Sequence, residues 1–191
     1  MQLVVGLGNP GPSYRNHRHN VGFMVVERLH ARIGASEWRE KFRGLAGRGL
    51  LAGRETHLLL PQTFMNLSGE SVQRAVTQLG VKPADILVVH DDLDLPFGDV
   101  RVKVAGGHGG HNGLRDITRV IGADYLRVRV GIGRPTVGTV EHYVLSPFTK
   151  EESAELEGVI ARAVEAIEGV VSEGPSLAMN KTNTKPKKKP Q

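Results

Sequence analysis

Apolar residues recur along the chain in two rhythms. Leu3-Val4-Val5 and Ile86-Leu87-Val88-Val89 are short unbroken apolar runs, the pattern of strands buried on both faces. Val100–Val104 and Leu126–Val130 alternate apolar with charged residues, as strands with one polar face do. Two more short strands are predicted near 48–52 and 56–60, around Gly53, whereas 35–48 is polar and weakly patterned. Helical spacing appears at Val21, Val25, Leu29 and Ile33, with Asn20 as the predicted N-cap and Gly34 as the stop. It recurs at Val72, Ala75, Val76 and Leu79, capped by Asn66 or Ser68 and ended by Gly80. A short helix is expected over 114–121. Thr149, with Glu152 three residues on, forms a capping box. It opens a long helix with Leu156, Val159, Ile160, Ala163, Val164, Ile167 and Val171 on one face. Strands interleaved with helices and no internal repeat predict a single α/β domain, a central mixed twisted sheet with helices on both faces.

Composition bounds this picture. With 191 residues and 39% apolar content, one domain with a self-sufficient core is expected over 1–180. Residues 181–191, low in complexity and rich in lysine, are expected to form a disordered tail. No apolar run is long enough to span a membrane, and the N-terminus lacks the basic and apolar regions of a secretory leader. Zero cysteines remove disulfides and thiolate chemistry, so a cytoplasmic protein is expected. The net charge of +5 comes from the tail, which holds five lysines and no acid. Residues 1–140 carry 18 Lys and Arg against 12 Asp and Glu, whereas 141–180 carry 2 against 8. A basic stretch of this kind suits a polyanionic partner.

Four segments carry candidate chemistry. In the first, Gly6, Gly8 and Gly11 match the G-x-G-x-x-G dinucleotide fingerprint. That fingerprint, however, requires a helix opening at its glycines. Pro10 and Pro12 intervene, and the acid expected about twenty positions on could only be Glu27, inside the next helix. What remains is a rigid turn that presents Asn9 and then His19. The second segment, Pro61–Asn66, follows a strand. The third, His90–Pro96, begins where the apolar run ends, and in open α/β sheets ligands bind at the carboxyl ends of strands. The fourth is the glycine-rich Gly106–Gly113.

His19 is either a surface histidine or a general base, since an unperturbed imidazole titrates near neutral pH. A base of this kind is better oriented when a carboxylate accepts its other N–H. Asp91 follows the buried run most closely and is favoured over Asp92. Asn9, Asn66 and Asn112 could hold amides or an oxyanion without adding charge, although Asn66 could be a cap, Asn112 a turn and Met65 core. His108 and His111, with His17, His19 and His90, raise a metal site, but no H-E-x-x-H and no cysteine ligand accompany them. The glycines read better as a flexible lid. Alternation puts Arg101 and Lys103 on one face of their strand, and Arg127 and Arg129 on one face of theirs. If the strands are neighbours, these four make either a cationic plate for a phosphate or an ordinary solvated surface.

Together, Gly6–Gly11 with Tyr14 and Arg18-His19-Asn20, Thr63–Gly69, His90–Pro96, Gly106–Gly113 and Arg129–Gly133 resemble the bacterial-type peptidyl-tRNA hydrolase family, over roughly residues 2–175. The resemblance implies a monomeric α/β enzyme that cleaves the ester between a peptide and the 3′ end of tRNA without metal or cofactor. It implies His19 as catalytic base and Asp91 as its partner. Asn9, Asn66 and Asn112 would position peptide and water, with Tyr14, Met65 and His111 as further substrate-binding residues. Lys103 and Arg129 match positions that clamp the tRNA 5′-phosphate. The chain departs from the family at His17, usually Thr, and at Phe97, commonly Pro. The lysine tail lies outside the resemblance. A non-catalytic RNA-binding relative is the rival reading, against which the retained His19, Asp91 and asparagines argue.

Overall fold

Alternate residues of the central strands feed two separate cores. The structure, a computed structural model, describes residues 1–183. In β1 (Gln2–Gly6) and β5 (Ile86–Asp92), Val4, Leu87 and Val89 face one side. Leu3, Val5, Ile86 and Val88 face the other. The first core is closed by α1 (Val21–Ile33), α5 (Lys150–Glu173) and α6 (Pro175–Asn183). The second is closed by α2 (Ser68–Leu79) and α3 (Asn112–Ile121). Each fully buried Val or Leu contributes on the order of 1.5–3 kcal/mol, so two-sided burial makes these strands the anchor of the fold.

Around them stand β2 (Arg39–Lys41), β3 (Gly44–Leu51), β4 (Arg54–Pro61), β6 (Val100–Val104) and β7 (Leu126–Gly131). The sheet order is β2-β3-β4-β1-β5-β7-β6. The pairs β1–β4, β1–β5 and β5–β7 are parallel, and the outer pairs are antiparallel. This is the mixed α/β sheet, helices on both faces, that the sequence pattern predicts. A short α4 (Val140–Val144) precedes α5.

Local differences from the sequence expectation have physical reasons. The polar stretch after α1 holds β2 and the start of β3, joined by a turn in which Phe42 and Arg43 adopt φ of 57° and 50°. Neither strand shows alternation: β2 is exposed throughout, and Gly44, Gly47 and Gly49 remove side chains from β3. Asn20 occupies the cap position of α1 without a side-chain cap bond. Neither Asn66 nor Ser68 caps α2: Asn66 lies in a tight turn over Met65–Leu67, and Ser68 Oγ donates to the Met65 carbonyl at 2.7 Å. The helix expected from 114 begins at Asn112, because His111 caps it. The capping box at Thr149 and Glu152 forms as expected. Lys181–Asn183, expected in the tail, are the last turn of α6, and 184–191 lie outside the described residues.

Glycine sets the fit between α1 and the sheet. A Cβ on Gly22 would overlap the Val89 carbonyl oxygen, and one on Gly6 would overlap the Gly22 carbonyl. The N-terminal glycines thus allow close helix–strand packing instead of opening a helix onto a phosphate.

Candidate active site

The carboxyl ends of β1, β4, β5 and β7 and the segments that follow them line a cleft of about 440 Å³. Asp91, the sixth residue of β5, lies at its floor and is 3% exposed. Asp91 Oδ2 lies 2.9 Å from His19 Nδ1, and its Oδ1 lies 2.8 Å from His111 Nε2. Burial alone would push this carboxyl up. The two imidazoles, by charge and hydrogen bond, outweigh burial and hold it far below the usual carboxylate range. For His19, burial would lower the pKa, but the charge and hydrogen bond of Asp91 prevail and raise it. With Nδ1 engaged by the carboxylate, a neutral His19 keeps its proton there and has its lone pair on Nε2.

His111 is fixed from both sides. Its Nδ1 accepts the N–H groups of Gly113 (3.1 Å) and Leu114 (3.4 Å), which caps α3. Its ring proton therefore belongs on Nε2, as a donor to Asp91. His19, Asp91 and His111 are the only metal-capable cluster among the described residues, their ligand atoms lying within 4.8 Å of one another. A metal on His111 Nε2 would need that donor proton removed while Nδ1 stayed occupied, so the trio fits a hydrogen-bonded unit better than a ligand set. His108, the other histidine of the loop, spends its Nδ1 on the Gly110 N–H at 2.9 Å.

His19 is delivered by the turn after β1. Arg18, just before it, is 6% exposed, pairs with Glu152 at 2.8 Å and stacks 4.0 Å from the Tyr143 ring centroid. This anchors the His19 segment to the start of α5. Asn20, just after it, accepts the Asn9 N–H and donates to the Asn9 carbonyl, both at 2.9 Å. Asn9 Oδ1 in turn accepts the Met65 N–H at 2.7 Å. The Asn9 side-chain NH2 is left without a partner among the described residues, in a residue that lines the cleft.

Met65, Asn66 and Asn112 also line the cleft, and Asn112 Oδ1 accepts from Arg115 at 3.1 Å. Tyr14 does not line it. Its ring sits edge-on to Phe64, centroids 6.3 Å apart, and Phe64 lines the mouth. On the far wall β6 and β7 are neighbours in register, with Arg101 opposite Arg129 and Lys103 opposite Arg127. Lys103 and Arg129 line the cleft. Arg129 Nε donates to Asp92 Oδ2 at 2.7 Å; burial would raise the Asp92 pKa, but this bond and charge, with the Asp94 N–H and the nearby His90, together lower it. Lys103 has no ion-pair partner among the described residues.

Sequence reasoning gave no site role to Asn20, hidden by its cap position, and met His90 only among the imidazoles of a possible metal site. His90 lines the cleft; burial and the nearby His111 lower its pKa to about 4, and its Nδ1 lies 2.7 Å from the Asp91 carbonyl. Strand alternation marked Arg127 only as one of four cations.

The family model for peptidyl-tRNA hydrolase matches residues 3–191. The chain belongs to the peptidyl-tRNA hydrolase family. As a member of it, the protein is a hydrolase. It is 48% identical over 188 residues to the peptidyl-tRNA hydrolase of Syntrophotalea carbinolica, covering 97% of this chain and 98% of that one. It is 50% identical over 191 residues to that of Sorangium cellulosum, covering 98% and 86%. The crystal structure of peptidyl-tRNA hydrolase from Acinetobacter baumannii superposes with a TM-score of 0.91 at 42% identity, covering 96% of this chain and 95% of that chain.

Proposed function

We propose that the enzyme hydrolyses the ester joining a peptide to the 3′ end of tRNA, with His19 as general base and Asp91 as its orienting partner. The observation that carries this reading is the His19–Asp91 contact at the floor of the cleft, beside the amide groups of Asn9, Asn66 and Asn112. In the proposed reaction His19 Nε2 takes a proton from water as the oxygen attacks the ester carbonyl carbon. The C=O electron pair moves onto oxygen, where the Asn9 NH2 donates to the developing charge. Collapse of the intermediate breaks the bond to the ribose 3′-oxygen, which takes the proton back from His19. The products are a peptide carboxylic acid, which then ionises, and free tRNA. No cofactor is needed for this balance of atoms and protons.

Lys103 and Arg129 would hold the tRNA 5′-phosphate. Contacts to phosphate position a nucleic acid without reading its bases, which suits an enzyme that acts on every tRNA. Tyr14, Met65, Asn66, His111 and Asn112 would shape the peptide site, Tyr14 through Phe64. We place this activity in the cytoplasm, where peptidyl-tRNA arises, and assign it to the monomer, because one chain carries every group invoked. No helix among the described residues is long and apolar enough to cross a membrane.

The test is release of tRNA from an N-blocked aminoacyl-tRNA with a chelator present. His19→Ala should lower turnover by roughly 100- to 10,000-fold, the usual contribution of a positioned general base, with tRNA affinity retained. Turnover near the unsubstituted rate would remove His19 from the role given to it, and loss of all activity on adding chelator would point to a metal.

A further inference from the structure

Arg127 is 2% exposed, and among the described residues no carboxylate pairs with it. Its guanidinium lies 4.7 Å from the Tyr125 ring centroid and donates to two backbone carbonyls, those of Gly106 (2.6 Å) and Gly107. These belong to the loop that runs from the end of β6 to His111 and Asn112. The loop leaves the strand through Ala105 at φ 55° and Gly106 at φ 107°. An alanine in the left-handed region costs about 1–2 kcal/mol, so neighbouring contacts must hold it there. Inside the loop the bonds are local, from Gly110 N–H to His108 Nδ1 and from His111 N–H to the His108 carbonyl. Among the described residues, the hydrogen bonds that tie 106–111 to the rest of the molecule come from Arg127 at one end and His111 at the other.

The geometry points to Arg127 as the positioning residue of this loop. Its two contacts fix Gly106 and Gly107 beside the cationic plate, and thereby fix His111 against Asp91 and Asn112 in the cleft. Neutral carbonyls engage both terminal nitrogens of the guanidinium, leaving its buried Nε unpartnered, so Arg127 is held in place without an anion, whereas Lys103 opposite it in register is free to meet one. A lysine could keep the charge but not the planar two-pronged contact. The inference rests on the cleft being the site of ester hydrolysis. It treats the glycine segment as a latched element, with Arg127 as the latch.

The test uses the full chain with Arg127→Lys and Arg127→Gln. In both, amide hydrogen exchange over 106–112 should accelerate while exchange elsewhere keeps the unsubstituted rates. With N-blocked aminoacyl-tRNA, kcat should fall roughly tenfold or more, as expected when reacting groups lose their placement. Affinity for deacylated tRNA should stay within about twofold, the signature of a lost transition-state contact and not of lost binding. Millimolar guanidinium ion should restore part of the kcat of Arg127→Gln. Should that variant fail to fold, Arg127→Lys, with its charge and stem kept, decides the matter. Unchanged loop exchange in Arg127→Lys would overturn the inference. So would weakened tRNA affinity at undiminished kcat, which would make Arg127 a phosphate ligand. Exchange is read without substrate, so an absence of ester hydrolysis by the unsubstituted chain would defeat the functional reading and leave the loop result standing.

Discussion

At the scale of single residues, the centre of the site is one carboxylate shared by two imidazoles. Asp91 gives one oxygen to each, so neither His19 nor His111 can rotate without leaving a buried lone pair unmet. In the proposed mechanism, Asp91→Asn would offer an amide where a carboxylate oxygen is needed and favour the wrong His19 tautomer. Single-turnover hydrolysis should slow by about 100- to 10,000-fold, in line with the same change in hydrolytic triads. The pH dependence follows from sign. Asp91 raises the His19 pKa, and only the neutral ring can accept a proton. Therefore kcat/KM should rise with pH through a His19 pKa above its usual value of about 6.5, then level off. Removing the Asp91 charge should move that rise to lower pH. An acid limb that stays put in Asp91→Asn would show that another group controls it. From the sequence, His19 was a surface histidine or a base and Asp91 the favoured of two acids at the end of a buried strand, and the family resemblance joined them as partners. The sequence could not give His111 as the second partner, since that role depends on where the start of α3 comes to rest.

At the scale of elements, the junction between β1 and α1 does the positioning. Asn20 stands where a cap residue belongs, yet its amide serves both backbone groups of Asn9, eleven residues earlier. Asn20→Ala would leave a buried N–H and a buried carbonyl unpaired. Such groups cost roughly 1–3 kcal/mol each, so the chemical-denaturation midpoint should fall. With Asn9 freed, kcat should drop about tenfold while KM changes little. A variant of full stability and activity would show that Asn9 needs no such brace. The elements legible from the sequence were those with a strong period: the two unbroken apolar strands, the alternating β6 and β7, α1, α2, and α5 with its capping box. The β2 strand was illegible because an exposed edge strand has no buried face to impose alternation, and the first half of β3 because Gly44 and Gly47 leave few side chains to read. The cap of α5 was read correctly; those of α1 and α2 were not. Asn20 spends its side-chain oxygen on the Asn9 N–H, and Ser68 donates its hydroxyl to the Met65 carbonyl three residues back.

Across the whole molecule, charge is divided by the sheet. Val100, Val102, Val128 and Val130 face the core under α5, so Arg101, Lys103, Arg127 and Arg129 emerge on the opposite face. The acidic stretch of 141–180 includes α5 itself, which puts its carboxylates across the sheet from these cations. A polyanion would then be steered to the cleft side. Lys103→Ala should raise KM for the tRNA substrate and lower the salt slope of binding by about one, as for a single phosphate contact. It should leave the rate on a short ester lacking tRNA unchanged, and an unaltered salt slope would remove Lys103 from the phosphate site. By itself the sequence determined the alternation of strands and helices, the two-sided burial of β1 and β5, the cationic face of β6 and β7, and the residue types of the site. These are local matters, set by period, turn chemistry and the limits of each side chain. Only the tertiary structure decided that both Asp91 oxygens would be occupied, that Asn20 would serve Asn9, and that Arg127 would grip the glycine loop. Such pairings join residues eleven to seventy-two positions apart, and no local pattern encodes which distant partner a polar group will find when the sheet closes.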